Sequence, residues 1–179
     1  MKGLPYSNGR GLAAAAPVVR KYTYPVKNLS IAVTSVTTAA GFGTAVIGDF
    51  PEGNVLLLGG VAYLQFSSSD ADLTSATWNG DYSVGTTATA DVTLSGTDIN
   101  LINDGGGSAA AVAVGPAVAK TSPVTRGEGA AMDLFDNTDG SLELNLNLLV
   151  DAADIGDSAT ADVLVNGYVT LVYIVLGDD

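Results

Sequence analysis

The residues of this chain best suited to chemistry are its charged side chains, and the sequence keeps the two signs apart. Five of the seven Lys and Arg (Lys2, Arg10, Arg20, Lys21 and Lys27) precede Asn28, and all nineteen Asp and Glu follow Gly48. Residues 1–27 therefore carry +5, while residues 49–179, with two cations against nineteen acids, carry −17. A basic segment joined to an acidic body is built to meet a negative surface, and a neighbouring copy offers one in quantity. The chain has no His and no Cys. It therefore lacks the commonest general base, the usual transition-metal ligands, the thiol nucleophile and any disulfide framework.

Carboxylates alone suffice for glycoside hydrolysis. Here nearly every acid sits beside Gly, Asn, Ser or Thr in turn-like sequence, and Trp78 is the one indole available to stack on a sugar. Asp151, Asp154 and Asp157 recur at three-residue spacing and present hard oxygen ligands of the kind calcium takes. The simpler reading is that Asp151 or Asp154 caps a short helical turn while Asp157 faces solvent. Asp70 and Asp72 are discounted in the same way. Gly105-Gly106-Gly107 lacks the Lys of a phosphate-binding loop, and a Ser nucleophile would find no His. The expectation is a non-enzyme with no catalytic residue, cofactor or metal.

Arg20-Lys21 beside Tyr22 and Tyr24 offers charge and stacking to a nucleic acid, but the −17 remainder repels a polyanion, so no nucleic-acid partner is expected. No run reaches the roughly 18 apolar residues of a membrane helix. Leu12 to Val19 looks like a signal-peptide core, yet Pro17 interrupts it and Arg20-Lys21 follow.

Hydrophobic residues make up 47% of the chain and charged ones 15%, enough for a packed core. Residues 1–28 are punctuated by Gly3, Pro5, Gly9, Gly11, Pro17 and Pro25 and read as an extended basic arm. Residues 29–179 read as the body. Leu29, Ile31 and Val33 alternate with polar or small residues, as in a half-buried strand. Asp49 to Asn54 is a turn, and Val55 to Phe66 an apolar run fit for a strand buried on both faces. Asn79-Gly80 between aromatics signals a tight turn. Ala88–Leu94 and Ile99–Ile102 read as strands, and Asp104 to Ser108 as a flexible loop. Ala109 to Lys120 is either a loose strand or a crossing segment.

The clearest element is Ser141 to Val150. Leu142, Leu144, Leu146, Leu148 and Val150 point one way, while Glu143, Asn145 and Asn147 point toward solvent or a polar interface. Its expected partner is Ala161 to Leu176, after a connection with a helical turn at Ala152-Ala153. Gly167 falls on the apolar row of that partner and marks a bulge or a close approach. Short strands with turn signals predict an all-β body, an antiparallel sandwich or jelly-roll-like fold with an extended N-terminal arm.

The turn Asp49-Phe50-Pro51-Glu52-Gly53-Asn54, the stretch Gly80 to Thr86 and the ending resemble tailed-phage virion structural proteins. The ending comprises Asp136-Asn137-Thr138-Asp139-Gly140, Leu142 to Val150, Asp151-Ala152-Ala153-Asp154, Val165-Asn166-Gly167 and Leu176-Gly177-Asp178-Asp179. Within that group the chain looks like a small capsid decoration, or cement, protein, a resemblance spanning most of residues 29–179. It implies no catalytic residues. It implies a virion location on the capsid surface and assembly on a major capsid protein with neighbouring copies, as a homotrimer. On this reading Lys2, Arg10, Arg20, Lys21, Tyr22, Tyr24 and Lys27 of the arm bind the partner. The alternative is a carbohydrate-binding or adhesive β module of a head fibre, which needs an exposed aromatic platform.

Overall fold

A computed structural model describes residues 18–36, 40–68, 70, 72–73, 77–110, 120–123 and 134–176, with backbone only for 77, 103–110 and 120–123. The elements are β1 (Val19–Ser35), β2 (Gly41–Asp49), β3 (Gly53–Ser67), β4 (Thr77–Gly85), a 3-10 turn at Gly96–Asp98, β5 (Ile102–Ala110), β6 (Lys120–Pro123), β7 (Leu134–Asn137), β8 (Glu143–Val150) and β9 (Thr160–Val175). Every recorded strand pairing is antiparallel. The strand order is β5-β4-β8-β2-β1-β9-β3-β6, with β7 also on β3. β1 and β2 share only the register pairs Thr34↔Phe42 and Ser35↔Gly41. The sheet is thus two layers, β2-β8-β4-β5 and β1-β9-β3-β6/β7, hinged at one corner and curled over a common core. The all-β expectation holds.

Period-two alternation explains the core. Leu144, Leu146, Leu148 and Val150 of β8 and Trp78, Tyr82 and Val84 of β4 are buried against Ile31 and Val33 of β1, Leu64 and Phe66 of β3, and Val163, Val165, Val169 and Leu171 of β9. The layers meet ring to ring: the Phe66 centroid lies 5.2 Å from that of Tyr82 and 6.3 Å from that of Trp78. Burying this aliphatic and aromatic area supplies the main drive for folding.

Several local expectations give way to these long-range contacts. The strand expected to start at Leu29 starts at Val19, because β9 runs long enough to pair with Val19 through Val26 as well as with Leu29 through Thr34. The sheet takes in Val19–Asn28, which the division into residues 1–28 and 29–179 assigns to the arm; residues 1–17 lie outside the described part. Ser141–Val150 does not pair with Ala161–Leu176: β8 lies between β2 and β4, and β9 between β1 and β3.

Asn79-Gly80 makes no turn. Trp78 and Tyr82 are both drawn into the core, which keeps β4 extended, and a Cβ on Gly80 would fall 2.0 Å from the Leu149 carbonyl oxygen. Asp104 to Ser108 belongs to β5, zipped onto β4. Of the two further strands expected, Ala88–Leu94 is irregular and Ile99–Ile102 is irregular up to Ile102, which opens β5; the separator between them forms the 3-10 turn Gly96–Asp98. Val55–Phe66 is one strand with a bulge at Leu57/Gly59, buried on its inner face and half-buried or exposed on its outer face. Of Ala109–Lys120, residues 109–110 end β5 and residues 111–119 lie outside the described part.

The polar face of β8 is also corrected. Asn147 is 0% exposed, because residues 86–98 fold across that face. Its amide is fully used: Nδ2 donates to the carbonyls of Thr87 and Asp98, each at 3.0 Å, while Oδ1 accepts from the Thr89 amide and the Thr44 hydroxyl, each at 2.9 Å. A side chain with two donors and two acceptors, all paired, is the arrangement burial demands. Gly167 is a close approach, as expected: its φ is +140° and a Cβ there would lie 2.0 Å from the Tyr63 carbonyl oxygen.

Candidate interaction surfaces

Three places on the molecule expose basic, aromatic or apolar groups: the first half of β1, a cleft where β1 and β2 splay, and the outer face of β1-β9-β3. Among the expected site residues, Lys2 and Arg10 lie outside the described part. Arg20, Lys21, Tyr22, Tyr24 and Lys27 all lie on β1, which brings them onto one strand. Arg20, Lys21 and Lys27 are exposed, and none has a carboxylate partner among the described residues. Tyr24 differs. It is 6% exposed and belongs to the core, where its ring also lines the cleft described below. Its hydroxyl donates to the Asp49 carbonyl at 3.0 Å. Burial, then the neighbouring Tyr173, Tyr22 and Asp49, push its phenol well above the ordinary tyrosine range, so it remains a neutral donor.

The splay of β1 from β2 leaves an open cleft of about 520 Å³, lined by Tyr22, Tyr24, Pro25, Ile47, Gly48, Asp49, Phe50, Pro51 and Tyr173. Tyr22 packs edge-on against Tyr24 with centroids 4.6 Å apart and remains 53% exposed. The opposite wall, Phe50-Pro51, is clamped from behind. Buried Asn137 donates from Nδ2 to the carbonyls of Phe50 and Pro51, each at 3.0 Å, and accepts the Leu142 amide at 2.9 Å. Phe50 also meets Phe135 edge-on at 5.1 Å.

Carboxylates rim this end of the cleft. Asp49 and Glu143 are direct cross-strand partners of like charge, an arrangement that repels. Exposed Glu52 lies over the turn at Gly140. Asp136 and Asp139 shape that turn by accepting the amides and hydroxyls of Thr138 and Ser141. The Ser141 hydroxyl and amide hold the Asp139 carboxyl below the usual range.

In the loop holding Asp151, Asp154 and Asp157, the Asp154 carboxylate has a structural role and Asp151 takes part through its backbone. The loop forms a hydrogen-bonded turn in place of the expected helical turn at Ala152-Ala153: the Asp154 amide donates to the Asp151 carbonyl at 2.9 Å. Asp154 is buried, and its Oδ2 takes the Asn79 amide at 2.7 Å; it thus caps a strand, where a helix cap was expected. Among the described residues no group of three or more His, Cys, Asp or Glu is placed to hold a metal. Trp78 is 1% exposed and cannot serve as a sugar platform.

The surface missed in the sequence is the outer face of β9 and β3. Tyr63 and Tyr168 are cross-strand partners 37% and 42% exposed, stacked with centroids 5.6 Å apart and planes 19° apart. Val19, Leu134 and Leu164 extend this apolar face. The signal was present: Leu164, Tyr168, Val172 and Ile174 form a second apolar row on β9, opposite in parity to the core row. A strand apolar on both rows is covered on both faces or presents one of them.

No protein-family model matches the sequence, and no curated protein matches it. Among solved structures, the chain is similar to a chain in the "Structure of infectious bursal disease virus Gx strain", with 14% identity and a TM-score of 0.27. The match covers 90% of this chain and 37% of that one. At that score the likeness has no bearing on function.

Proposed function

We propose that this chain is a non-catalytic structural subunit of a virion, a capsid decoration protein that binds a major capsid protein and neighbouring copies of itself, as a homotrimer. The observation that carries this reading is the charge division placed in space. Arg20, Lys21 and Lys27 stand exposed along one strand of a body whose remaining net charge is −17. Cations gathered along β1, set against an acidic remainder, make copies of the chain mutually attractive. The resemblance of the turns at Asp49–Asn54 and Asp136–Gly140 to phage virion proteins supports the same reading.

The test is light scattering on the purified chain followed by co-sedimentation with empty phage shells. Arg20→Glu with Lys21→Glu weakens both, and added salt weakens the unaltered chain. An exposed pair is worth at most about 1 kcal/mol, but the effect multiplies over many copies. Assembly indifferent to both the reversal and salt refutes the charge argument. One observation favours the second reading, a carbohydrate-binding module: the exposed Tyr63–Tyr168 pair is an aromatic platform. Glycan binding that is lost in Tyr168→Ala and is indifferent to Arg20→Glu would establish it instead.

A further inference from the structure

The corner at which the layers part leaves more than a cleft. β1 pairs with β9 along nearly its whole length, yet on its other edge it meets β2 only at Thr34 and Ser35. Among the described residues, the backbone of β1 from Val19 to Val33 therefore has no ladder partner on the β2 side. A long free edge is a template for another strand, and proteins normally cover or blunt one. The edge opens directly into the cleft, whose lining is aromatic and proline-rich, and the like-charged pair Asp49/Glu143 at its rim gains from any cation brought near.

Resting on the structural-subunit reading above, we infer that this seam is the docking site for residues 1–17 of a second copy, added as a strand along β1. The sequence of that segment fits the seam. It has two cations, Lys2 and Arg10, and no acid, to set against Asp49, Glu52 and Glu143. Leu4-Pro5-Tyr6 supplies apolar groups of the right size for a cleft walled by Tyr22, Phe50 and Pro51. Ala13 to Ala16 carries small and uncharged side chains, which suit an edge without steric demand. Main-chain hydrogen bonds supply affinity in such an addition, and the cleft supplies specificity. Seventeen extended residues span roughly 56 Å, enough to cross to a neighbouring body.

The test uses the full-length chain and a synthetic peptide of residues 1–17. Association is followed by light scattering over a concentration series, and amide hydrogen exchange is read along β1. The expected result is β1 amide protection that rises with concentration, association competed by the peptide, and no competition by a scrambled peptide of the same composition. Tyr22→Ala with Asp49→Lys raises the concentration needed for association about tenfold or more. Tyr22→Phe with Asp49→Glu leaves it unchanged. Protection independent of concentration means that the chain's own segment, or none, covers the edge, and overturns the proposal. So does association that the Tyr22→Ala, Asp49→Lys variant leaves intact. Shell binding is scored separately. Self-association through the seam without shell binding refutes the decoration reading alone, whereas shell binding without seam protection refutes only the seam.

Discussion

Replacing Asn147 by Ala tests the most consequential difference between the sequence pattern and the fold. By alternation alone this residue faces outward, and its loss should cost little. In the structure its side chain is the sole recorded partner of the buried Thr89 amide and the tie between β8 and residues 87–98. Truncation leaves the Thr89 amide unpaired out of reach of water, at a cost of about 1–3 kcal/mol. The Thr87 carbonyl is part-buried and solvent relieves some of its loss. The Asp98 carbonyl keeps its bond from the Ser83 hydroxyl at 2.7 Å, and the Thr44 hydroxyl rotates. The total is about 2–4 kcal/mol, close to the roughly 2–5 kcal/mol of the cavity left by Leu146→Ala. For a domain of this size each kcal/mol moves Tm by about 2–4 °C, so a shift near 10 °C is expected. Urea unfolding of the isolated subunit gives the free energy, and exchange of the Thr89 amide shows whether the loop has come loose. A Tm change under about 2 °C, with the Thr89 amide still protected, would refute the reasoning.

Gly167→Ala should be costly, because φ of +140° strains any side chain and the added Cβ meets the Tyr63 carbonyl at 2.0 Å; a normal yield of variant with unchanged Tm contradicts this. Asn137→Ala releases the Phe50-Pro51 wall, and the expected outcome is lower stability together with weaker binding of the residue 1–17 peptide, read by calorimetry. The Asp139 carboxyl is held low in the folded state, so the folded chain binds fewer protons than the unfolded one in that window. Its contribution is therefore present above the ordinary carboxylate pKa and is lost as pH falls through the folded value; NMR titration of Asp139, repeated in Ser141→Ala, checks the direction.

The row Leu142 to Val150 and the apolar parity of Val163 to Val175 made the fold class legible, because burying one row of a strand imposes period two on the sequence itself. The turn at Asp136–Gly140 was legible for a similar local reason: its Asp side chains bond amides two residues on. The charge division was legible outright. What the sequence withheld depends on which strand meets which. Asn79-Gly80 is a turn signal in isolation, but Trp78 and Tyr82 gain more from burial beside Phe66 than the turn offers. Asn147 reads as solvent-facing until a loop 49 to 60 residues away along the chain closes over it. The cleft, the free edge of β1 and the stacked Tyr63–Tyr168 pair arise where distant strands part or meet. Residue order determined that this chain is a β protein with a basic beginning and an acidic body. Tertiary packing alone decided where β1 begins, which polar groups are buried and which edge is left open, because those depend on contacts that local propensity does not encode.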